Sequence, residues 1–354
     1  MNNKSKTLII LTPGFPESEA DTTCLPMQQH FVKALKERYP TLKVIILSFH
    51  YPYHKKKYEW FGIPVISLGG KNKRGLVTLL LRSKAKKTLQ KIKKEHKINT
   101  LLSFWYGECT LVGHRFAEKN HIKHYCWLMG QDARKGNKYV KYAGLKADEL
   151  IALSDFLQDE FEKNYGIKPA HVIPPGLNIQ LPGVAANEKS IDIIGAGSLI
   201  PLKEFDIFIE IVFEIKKQMP AIKAVLVGEG PQKKLLKNLI EKYELQQNIV
   251  LTGQLSYNEV LRMMQHSKIL LHPSSYEGFS GVCQEALATG AQVISFCRAM
   301  NYEIENWHIV TGKKEMKNKV ISILQNKSEC YQPESLFSIN DTAKAFAELI
   351  QQHS

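Results

Sequence analysis

The sequence lacks several features that would assign it to a class at once. Its six cysteines include no C-x-x-C pair. Cysteines scattered in this way indicate neither a disulfide framework nor a zinc site, and they are typical of reduced thiols in a cytoplasm. No apolar run approaches the ~18 residues that a membrane span requires. The run Leu8–Leu11 is short and is followed by Pro13, so we interpret it as a first β-strand and not as a signal peptide.

Acidic residues are scarce in the first half of the chain. Residues 1–180 hold 30 Lys and Arg against 15 Asp and Glu, a net charge of +15. Residues 181–354 hold 18 and 19, a net charge of −1, so the +14 of the whole chain belongs to the N-terminal half. We therefore predict an anionic partner for that half. A membrane surface and an acidic or lipid-linked glycan are the candidates, and nucleic acid is disfavoured because no recognition motif accompanies the charge.

Strand-like and helix-like segments alternate along the chain, which is typical of parallel sheets covered by helices. A segment with three prolines, two glycines and no periodicity interrupts the alternation at 173–190. We predict the α/β class, with two Rossmann-like domains facing across a cleft. The predicted parts are a Rossmann-like domain at 1–175, a linker at 176–190, a second Rossmann-like domain at 191–335 and a C-terminal helix at 336–354.

The segment 269–296 is the most informative part of the sequence. It predicts an apolar strand, a loop with glycines, a helix Gly281–Thr289 capped by Ser280, and a second strand. The free amides at the start of such a helix form an anion site. Glu277 and Glu285 flank that site with seven residues between them, so they can reach hydroxyl groups on either side of a phosphate. A nucleotide-sugar has that layout, with a sugar and a ribose flanking a diphosphate.

This spacing resembles the E-x7-E signature of retaining glycosyltransferases with the GT-B fold, specifically family four, also called group 1. Three other segments resemble motifs of that family and follow in its order. Gly195–Lys203 (GAGSLIPLK) resembles its strand-end glycines and phosphate-binding lysine, and Val227–Pro231 (VGEGP) resembles its next strand-to-helix turn. Asn248–Gly253 (NIVLTG) resembles the strand that follows. The resemblance extends over residues 190–296.

The resemblance implies transfer of a sugar from a UDP- or GDP-linked donor to a saccharide or lipid-linked acceptor, in the synthesis of a surface polysaccharide or lipopolysaccharide. It implies that Glu277 and Lys203 are the catalytic residues and that Glu285 binds the ribose. The other predicted donor-binding residues are Gly197, Ser198, Gly278, Phe279, Ser280, Gly281, Val282 and, in the first domain, Gly14. The predicted acceptor-side residues are Gly130 and Asp132.

Several positions depart from the family pattern. Ser280–Gly281–Val282 stands where the usual pattern continues with a leucine-proline pair after Phe-Gly. Ser198 stands where the family usually has an arginine, and Met129 stands where many relatives have a histidine. Asp132 can alternatively be the cap of a predicted helix Ala133–Tyr142. No Asp-x-Asp pair is present, which argues against the metal-dependent glycosyltransferases of the other large architecture. We therefore predict no metal and no other cofactor.

Three other functions have weaker support in the sequence. A nucleotide-sugar epimerase of the same fold would need further acid and base groups at the sugar, and the sequence does not place them. A non-catalytic nucleotide-sugar-binding protein would explain Ser198 and Met129, but the retained Glu277, Glu285 and Lys203 oppose it. A dinucleotide dehydrogenase is disfavoured because GAG at 195–197 lacks the third glycine at its expected place.

The segment Lys71–Lys97 is basic and amphipathic. Its apolar positions Leu76, Leu80, Leu89 and Ile92 are separated by lysines, which predicts a helix that buries its apolar stripe against its own sheet. We predict that its basic outer face contacts anionic lipid. The predicted location is accordingly the cytoplasm, peripheral at the inner face of the cell membrane.

Overall fold

The computed structural model describes residues 6–73, 75–179, 189–326 and 331–351. The chain forms two compact units. The N-terminal unit contains Met1–Asn178 and Phe337–Ser354, whereas the C-terminal unit contains Ile179–Leu336. The first unit is therefore assembled from two separate segments of the chain.

Eight strands form the sheet of the N-terminal unit. They are β1 (Thr7–Gly14), β2 (Lys43–Tyr51), β3 (Lys56–Trp60), β4 (Ile63–Ser67), β5 (Ile98–Phe104), β6 (Lys123–Trp127), β7 (Leu150–Ala152) and β8 (His171–Val172). Their order is β3-β4-β2-β1-β5-β6-β7-β8. All neighbours are parallel except β3, which runs antiparallel to β4. The strand order reverses between β1 and β5, and ligands of such sheets bind at that point.

Five helices of this unit precede residue 179. They are α1 (Pro26–Arg38), α2 (Leu76–Glu95), α3 (Glu108–Asn120), α4 (Lys138–Ala143) and α5 (Asp155–Tyr165). The β1 residues Leu8–Leu11 are completely buried, as expected for a parallel strand covered on both faces. The predicted apolar stripe of α2 was partly wrong, because Leu76 and Leu80 are exposed. The buried stripe is formed by Leu81, Ala85, Leu89 and Ile92.

The C-terminal unit contains a parallel sheet of six strands. They are β9 (Ile191–Ala196), β10 (Ala224–Val227), β11 (Ile249–Gly253), β12 (Ser267–His272), β13 (Gln292–Ser295) and β14 (Trp307–Ile309). The order is β11-β10-β9-β12-β13-β14, so the reversal lies between β9 and β12. The helices are α6 (Phe205–Lys216), α7 (Lys233–Lys242), α8 (Tyr257–Gln265), α9 (Gly281–Ala288) and α10 (Lys313–Gln325). This order is that of a dinucleotide-binding Rossmann sheet.

The last helix, α11 (Ile339–Gln351), packs against α1 in the N-terminal unit. Phe346 of α11 is completely buried. Its ring meets the ring of Phe31 at 5.4 Å edge to face and stacks on Trp127 at 6.4 Å. The helix thus covers apolar surface of a core built from residues far earlier in the chain.

The predicted α/β class with two parallel sheets is confirmed. The sequence analysis did not predict the short outer strands β3, β8 and β14 or the helix α10. The predicted linker 176–190 lies largely outside the described residues, since 180–188 are not described. Its start belongs to the N-terminal unit, where Leu177 pairs with Ser338. Within the described ranges, no helix is both long and apolar enough to cross a bilayer.

Candidate active site

A cavity of about 500 Å³ lies in the C-terminal unit, at the carboxyl ends of β9 and β12. This is the point at which the strand order reverses. The cavity brings together residues from four separate stretches of sequence. Eight of them were predicted from the sequence, namely Gly197, Ser198, Lys203, Glu277, Ser280, Gly281, Val282 and Glu285.

Glu277 and Lys203 form an ion pair at the wall of this cavity. Both side chains are less than one-fifth exposed. Glu277 also accepts a hydrogen bond from His272 Nε2 at 3.0 Å. Burial alone would raise the pKa of Glu277, but the hydrogen bond from His272 and the charge of Lys203 outweigh it and lower the pKa to about 2. Glu277 is therefore a fixed carboxylate at neutral pH.

Lys203 lies in a short 3₁₀ turn, Pro201–Lys203, that precedes α6. Glu204 adopts a left-handed conformation, so α6 begins only at Phe205. The carbonyl of Leu202 accepts hydrogen bonds from Ser274 Oγ at 3.1 Å and from the Ser275 amide at 3.2 Å. These bonds hold the turn with Lys203 against the loop with Glu277.

Gly197 and Gly228 allow the ends of β9 and β10 to approach each other. Gly228 has φ +151°, and a Cβ atom on it would lie 1.9 Å from the Gly197 carbonyl oxygen. The Gly197 amide donates to the Val227 carbonyl at 3.0 Å, which continues the pairing of the two strands. A side chain at Gly228 would therefore both strain the backbone and fill the floor of the cavity.

The N-terminus of α9 faces the cavity through Gly281 and Val282. The first amides of a helix have no acceptor within the helix, and together with the helix dipole they favour an anion. The prediction that Ser280 caps α9 was wrong in its chemistry. Ser280 has the N-cap position, but its hydroxyl group lies 3.3 Å from His272 Nε2, and no side-chain cap bond is present among the described residues.

Glu285 lies one turn into α9, on the cavity side. It accepts a hydrogen bond from the Tyr257 hydroxyl group, at the first position of α8. Burial raises the pKa of Glu285, and the bond from Tyr257 opposes that rise. The two glutamates thus differ, since Glu277 is held by the cation of Lys203 and by a hydrogen bond from His272, whereas Glu285 is held by the neutral Tyr257 hydroxyl group.

His272 and Tyr257 were not predicted as site residues. His272 is 1% exposed at the end of β12, and burial is the main reason that its pKa is lowered. A neutral His272 that donates through Nε2 leaves Nδ1 as an acceptor, and Nδ1 has no hydrogen-bond partner within the described part of the chain. The signal for His272 was its position at a strand end, five residues before Glu277. Tyr257 had no comparable signal, because its partner is on another helix.

Gly278 and Phe279 lie outside the set of described residues that line the cavity. Phe279 is 9% exposed and packs edge to face on Trp307, with ring centroids 6.4 Å apart. Their place in the structure is to support the loop between Glu277 and α9.

A second cavity, of about 620 Å³, lies within the N-terminal unit at the carboxyl ends of β1 and β5. Gly14 and Asp132 line it, together with Trp105 and Tyr106, whereas Gly130 is not among its described lining residues. The alternative of Asp132 as cap of a helix Ala133–Tyr142 was wrong, because α4 begins at Lys138. The Asp132 carboxylate accepts hydrogen bonds from the backbone amides of Met129 at 2.8 Å and of Tyr106 at 2.9 Å. Burial raises the pKa of Asp132 to about 7.

No group of three or more His, Cys, Asp or Glu side chains that could hold a metal ion occurs among the described residues. The predicted independence from metals and other cofactors stays a prediction.

Two family models match the chain over adjoining ranges. The model of glycosyl transferases group 1 matches residues 180–334, and that of glycosyltransferase family 4 matches residues 29–181. The chain belongs to the group 1 glycosyltransferases. The predicted family is thereby confirmed, and so is its enzyme class at the level of the family.

Curated relatives of this group 1 chain include an uncharacterized glycosyltransferase of Methanocaldococcus jannaschii. It is 28% identical over 229 residues, which are 61% of this chain and 62% of the relative. The gpi3 subunit of the phosphatidylinositol N-acetylglucosaminyltransferase of Schizosaccharomyces pombe is 29% identical over 45% of this chain and 36% of its own length. The chain therefore spans less than two thirds of the length of these relatives.

Solved structures resemble this glycosyltransferase chain along almost its whole length. Anabaena HepE in complex with UDP has a TM-score of 0.69 at 17% identity, covering 98% of both chains. The lipopolysaccharide outer core galactosyltransferase WaaB has a TM-score of 0.73 at 14% identity, covering 98% of this chain and all of WaaB. At these identities the likeness shows the fold, and it confirms the predicted GT-B architecture.

Proposed function

We propose that the protein transfers a sugar from a nucleotide-sugar donor to a hydroxyl group of a saccharide or lipid-linked acceptor, with retention of the anomeric configuration. One observation carries the proposal. A single cavity is lined by the Glu277–Lys203 ion pair, by the N-terminus of α9 and by Glu285, which are groups suited to a sugar, a diphosphate and a ribose.

The donor is held by three kinds of contact in this proposal. Glu277 accepts hydrogen bonds from hydroxyl groups of the sugar, and Glu285 accepts hydrogen bonds from the ribose hydroxyl groups. The α9 amides and Lys203 bind the diphosphate. A UDP-linked hexose or N-acetylhexosamine fits the relatives best. HepE is described in complex with UDP and glucose, and pneumococcal GtfA in complex with UDP and GlcNAc.

The chemical step exchanges one bond at the anomeric carbon for another. The bond from that carbon to the diphosphate oxygen breaks, and the acceptor oxygen forms the new bond on the same face. The departing diphosphate oxygen takes the proton of the acceptor hydroxyl group. Lys203 and the α9 amides stabilise the negative charge that grows on the diphosphate, which is where preorganised donors are most effective.

The acceptor side is assigned to the N-terminal unit. Its cavity with Gly14 and Asp132, together with the net charge of +15 of residues 1–180, suits an acceptor that carries negative charge. We propose a role in the synthesis of a surface polysaccharide or lipopolysaccharide, with the protein peripheral at the cytoplasmic face of the membrane.

The reaction is tested by incubating the protein with UDP- and GDP-sugars, with and without a panel of saccharide acceptors. Nucleotide release and a new glycoside with the donor's anomeric configuration, both seen by proton NMR, are expected. Activity should persist in the presence of EDTA. An inverted product, or activity restored only by a divalent ion, contradicts the mechanism. Conversion of the donor to its epimer indicates an epimerase, and binding without turnover indicates a non-catalytic protein.

Lys203→Ala is the sharpest single variant for this mechanism. Loss of one preorganised donor to a developing charge lowers turnover by roughly 10²–10³-fold. Lys313→Ala is the matched control, because Lys313 forms an ion pair with Glu210 on the surface of the same unit. Turnover is measured as nucleotide release. Equal turnover in both variants would show that Lys203 does not stabilise the charge on the departing diphosphate.

A further inference from the structure

The first two turns of α2 expose apolar side chains that are not part of its buried stripe. Leu76 is 80% exposed, Leu80 62% and Leu79 58%, and Val77 is also exposed. The stripe that packs on the sheet begins only at Leu81, which is 3% exposed. Isolated exposed apolar side chains are common, but three leucines and a valine within five positions at one end of one helix form a patch. We call these four residues the apolar end of α2.

Lysines continue the same face of the helix. Leu76, Leu80, Lys84, Lys87, Lys91 and Lys94 follow one another at spacings of three or four residues, so they form one row along the helix. All six are exposed. The helix contains no acidic residue before Glu95 at its end. This face therefore offers apolar surface followed by unneutralised positive charge.

Helix α4 contacts α2 through a pair of side chains. Arg82 of α2 donates from Nη2 to the Tyr139 hydroxyl group at 3.4 Å, which ties the two helices together. On α4, Lys138, Lys141 and Tyr142 are exposed, and the Tyr142 side chain is 54% exposed. An aromatic ring between lysines is the composition of side chains that lie at the boundary between lipid headgroups and acyl chains.

The same surface adjoins the cavity of the N-terminal unit. Asn72, four residues before Leu76, lines that cavity, and so do Glu108 and Tyr139. Arg82 Nε donates to Glu108 Oε1 at 3.1 Å, so α2 contacts the cavity rim directly. Whatever binds the apolar end of α2 is therefore presented close to Gly14 and Asp132.

We propose that the apolar end of α2 inserts into an anionic lipid bilayer, that the lysine row and α4 bind its headgroups, and that this docking presents a membrane-anchored acceptor to the neighbouring cavity. The last part rests on the proposed function. The charge pattern favours a bilayer, because a lipid surface accepts leucines and lysines of one face at different depths. Each lysine near such a surface contributes about fivefold in binding at low salt.

Vesicle sedimentation with the whole chain tests the docking. The probes are phosphatidylcholine vesicles with and without phosphatidylglycerol, at low salt and at ~0.5 M salt, where screening shortens the Debye length to a few ångströms. The parent protein is expected to sediment with the anionic vesicles at low salt. Leu79→Ser combined with Leu80→Ser, and Lys84→Gln combined with Lys87→Gln and Lys91→Gln, should each reduce binding at least tenfold.

Helix α7 supplies the matched controls, since it exposes Leu235 and the lysines Lys234, Lys237 and Lys242 in the unit without excess charge. Leu235→Ser and the triple change of these lysines to glutamine should leave vesicle binding unchanged. Equal losses in the α7 variants, or no binding of the parent to anionic vesicles at low salt, would overturn the proposal. If the Leu79→Ser/Leu80→Ser variant binds anionic vesicles as well as the parent does, the apolar end of α2 does not insert into the bilayer. Loss of self-association in that variant, seen by analytical ultracentrifugation, would assign the face to a protein contact instead.

The acceptor part has a separate readout. The α2 variants should keep the parent rate of nucleotide release with a saccharide acceptor free in solution, but lose transfer to acceptor lipids embedded in vesicles. Equal transfer to embedded acceptors by parent and variants overturns this part. Vesicle binding without any sugar transfer refutes the proposed function and leaves the docking surface standing.

Discussion

The carboxylate of Glu277 is held by two partners that come from different parts of the chain. Lys203 reaches it from the turn before α6, and His272 from the end of β12. His272 is neutral and buried, so it contributes a directed hydrogen bond rather than charge. We therefore assign His272 as a positioning residue, which acts on the donor sugar through Glu277.

Replacement of His272 should change the pH dependence of the reaction. The pKa of Glu277 is lowered to about 2, so the carboxylate adds stability above its ordinary pKa of 4.5, and that stability is lost as pH falls toward 2. His272→Leu removes a hydrogen bond to the ionised form, so the pKa of Glu277 rises and the acid limb of kcat/KM moves to higher pH. His272→Gln keeps a donor and should restore much of the parent profile.

Nucleotide release measured from ~pH 2 to ~pH 8 checks this expectation, since the range must include the lowered pKa of Glu277. Circular dichroism at each pH separates it from unfolding. If His272→Leu lowers the rate equally at every pH, the residue has only a structural role.

Glu285 should determine nucleotide affinity. A hydrogen bond to a charged group contributes about 1.5–3 kcal/mol, so Glu285→Gln should weaken UDP or GDP binding by roughly 10- to 150-fold in calorimetry. Glu241→Gln, on the exposed face of α7, is the control for loss of one negative charge. Unchanged affinity in a folded Glu285→Gln protein would exclude the ribose contact.

The site residues that the sequence predicted share one property. Glu277, Glu285 and Lys203 are identified by their spacing within short segments. Residues that are close in sequence also stay close in the folded structure. His272 and Tyr257 act across elements, since Tyr257 on α8 meets Glu285 on α9. Such pairings depend on how two helices pack, which local spacing does not specify.

At the scale of the element, α9 begins with a glycine, Gly281, that lines the cavity and has free space where a side chain would lie. A Cβ atom on Gly281 would meet nothing within 4 Å in the protein. Alanine is also favoured over glycine in a helix by about 1 kcal/mol. The described packing therefore does not require glycine at this position, and we propose that Gly281 leaves room for a ligand in the cavity.

Gly281→Ala should keep or slightly raise the thermal stability and weaken nucleotide diphosphate binding, because the new methyl group lies beside the helix amides. Gly228→Ala is the contrasting variant and should lower the melting temperature, given its positive φ and the contact of 1.9 Å with Gly197. Differential scanning fluorimetry and calorimetry separate the two effects. Unaltered diphosphate affinity in Gly281→Ala would place the diphosphate away from α9.

Element boundaries were predicted best where strong signals coincide. Helix α1 begins at Pro26, and α5 lies between the cap of Ser154 and the left-handed Gly166. The outer strands β3, β8 and β14 have two to five residues, and their strand conformation depends on a neighbour that is already in the sheet. Isolated short runs carry too little pattern to be recognised.

At the scale of the whole molecule, the two units have cores of their own. One buried cluster contains Phe205, Phe208 and Leu226 of the C-terminal unit. Another contains Leu11, Leu47 and Leu101 of the N-terminal unit. The C-terminal unit is one continuous segment of the chain, whereas the N-terminal unit includes α11, which packs on α1 from the far end of the chain.

Loss of the contact between α11 and the N-terminal core should be costly. Phe346→Ala removes a completely buried ring, which typically costs about 3–5 kcal/mol. Leu235→Ala, at an exposed leucine, should cost far less. Urea unfolding followed by tryptophan fluorescence reports the change, since Trp127 stacks on Phe346. Equal midpoints for the two variants would show that α11 does not stabilise the N-terminal unit.

The place of α11 also affects protein synthesis. A ribosome adds residues in sequence order, so the apolar surface around Phe31 and Trp127 emerges early and is covered only after the entire C-terminal unit has been translated. At about 5–20 residues per second, this delay lasts on the order of ten seconds or more. The unit that is started first is therefore completed last. During that interval the nascent chain presents an unfinished hydrophobic core, to which a chaperone can bind.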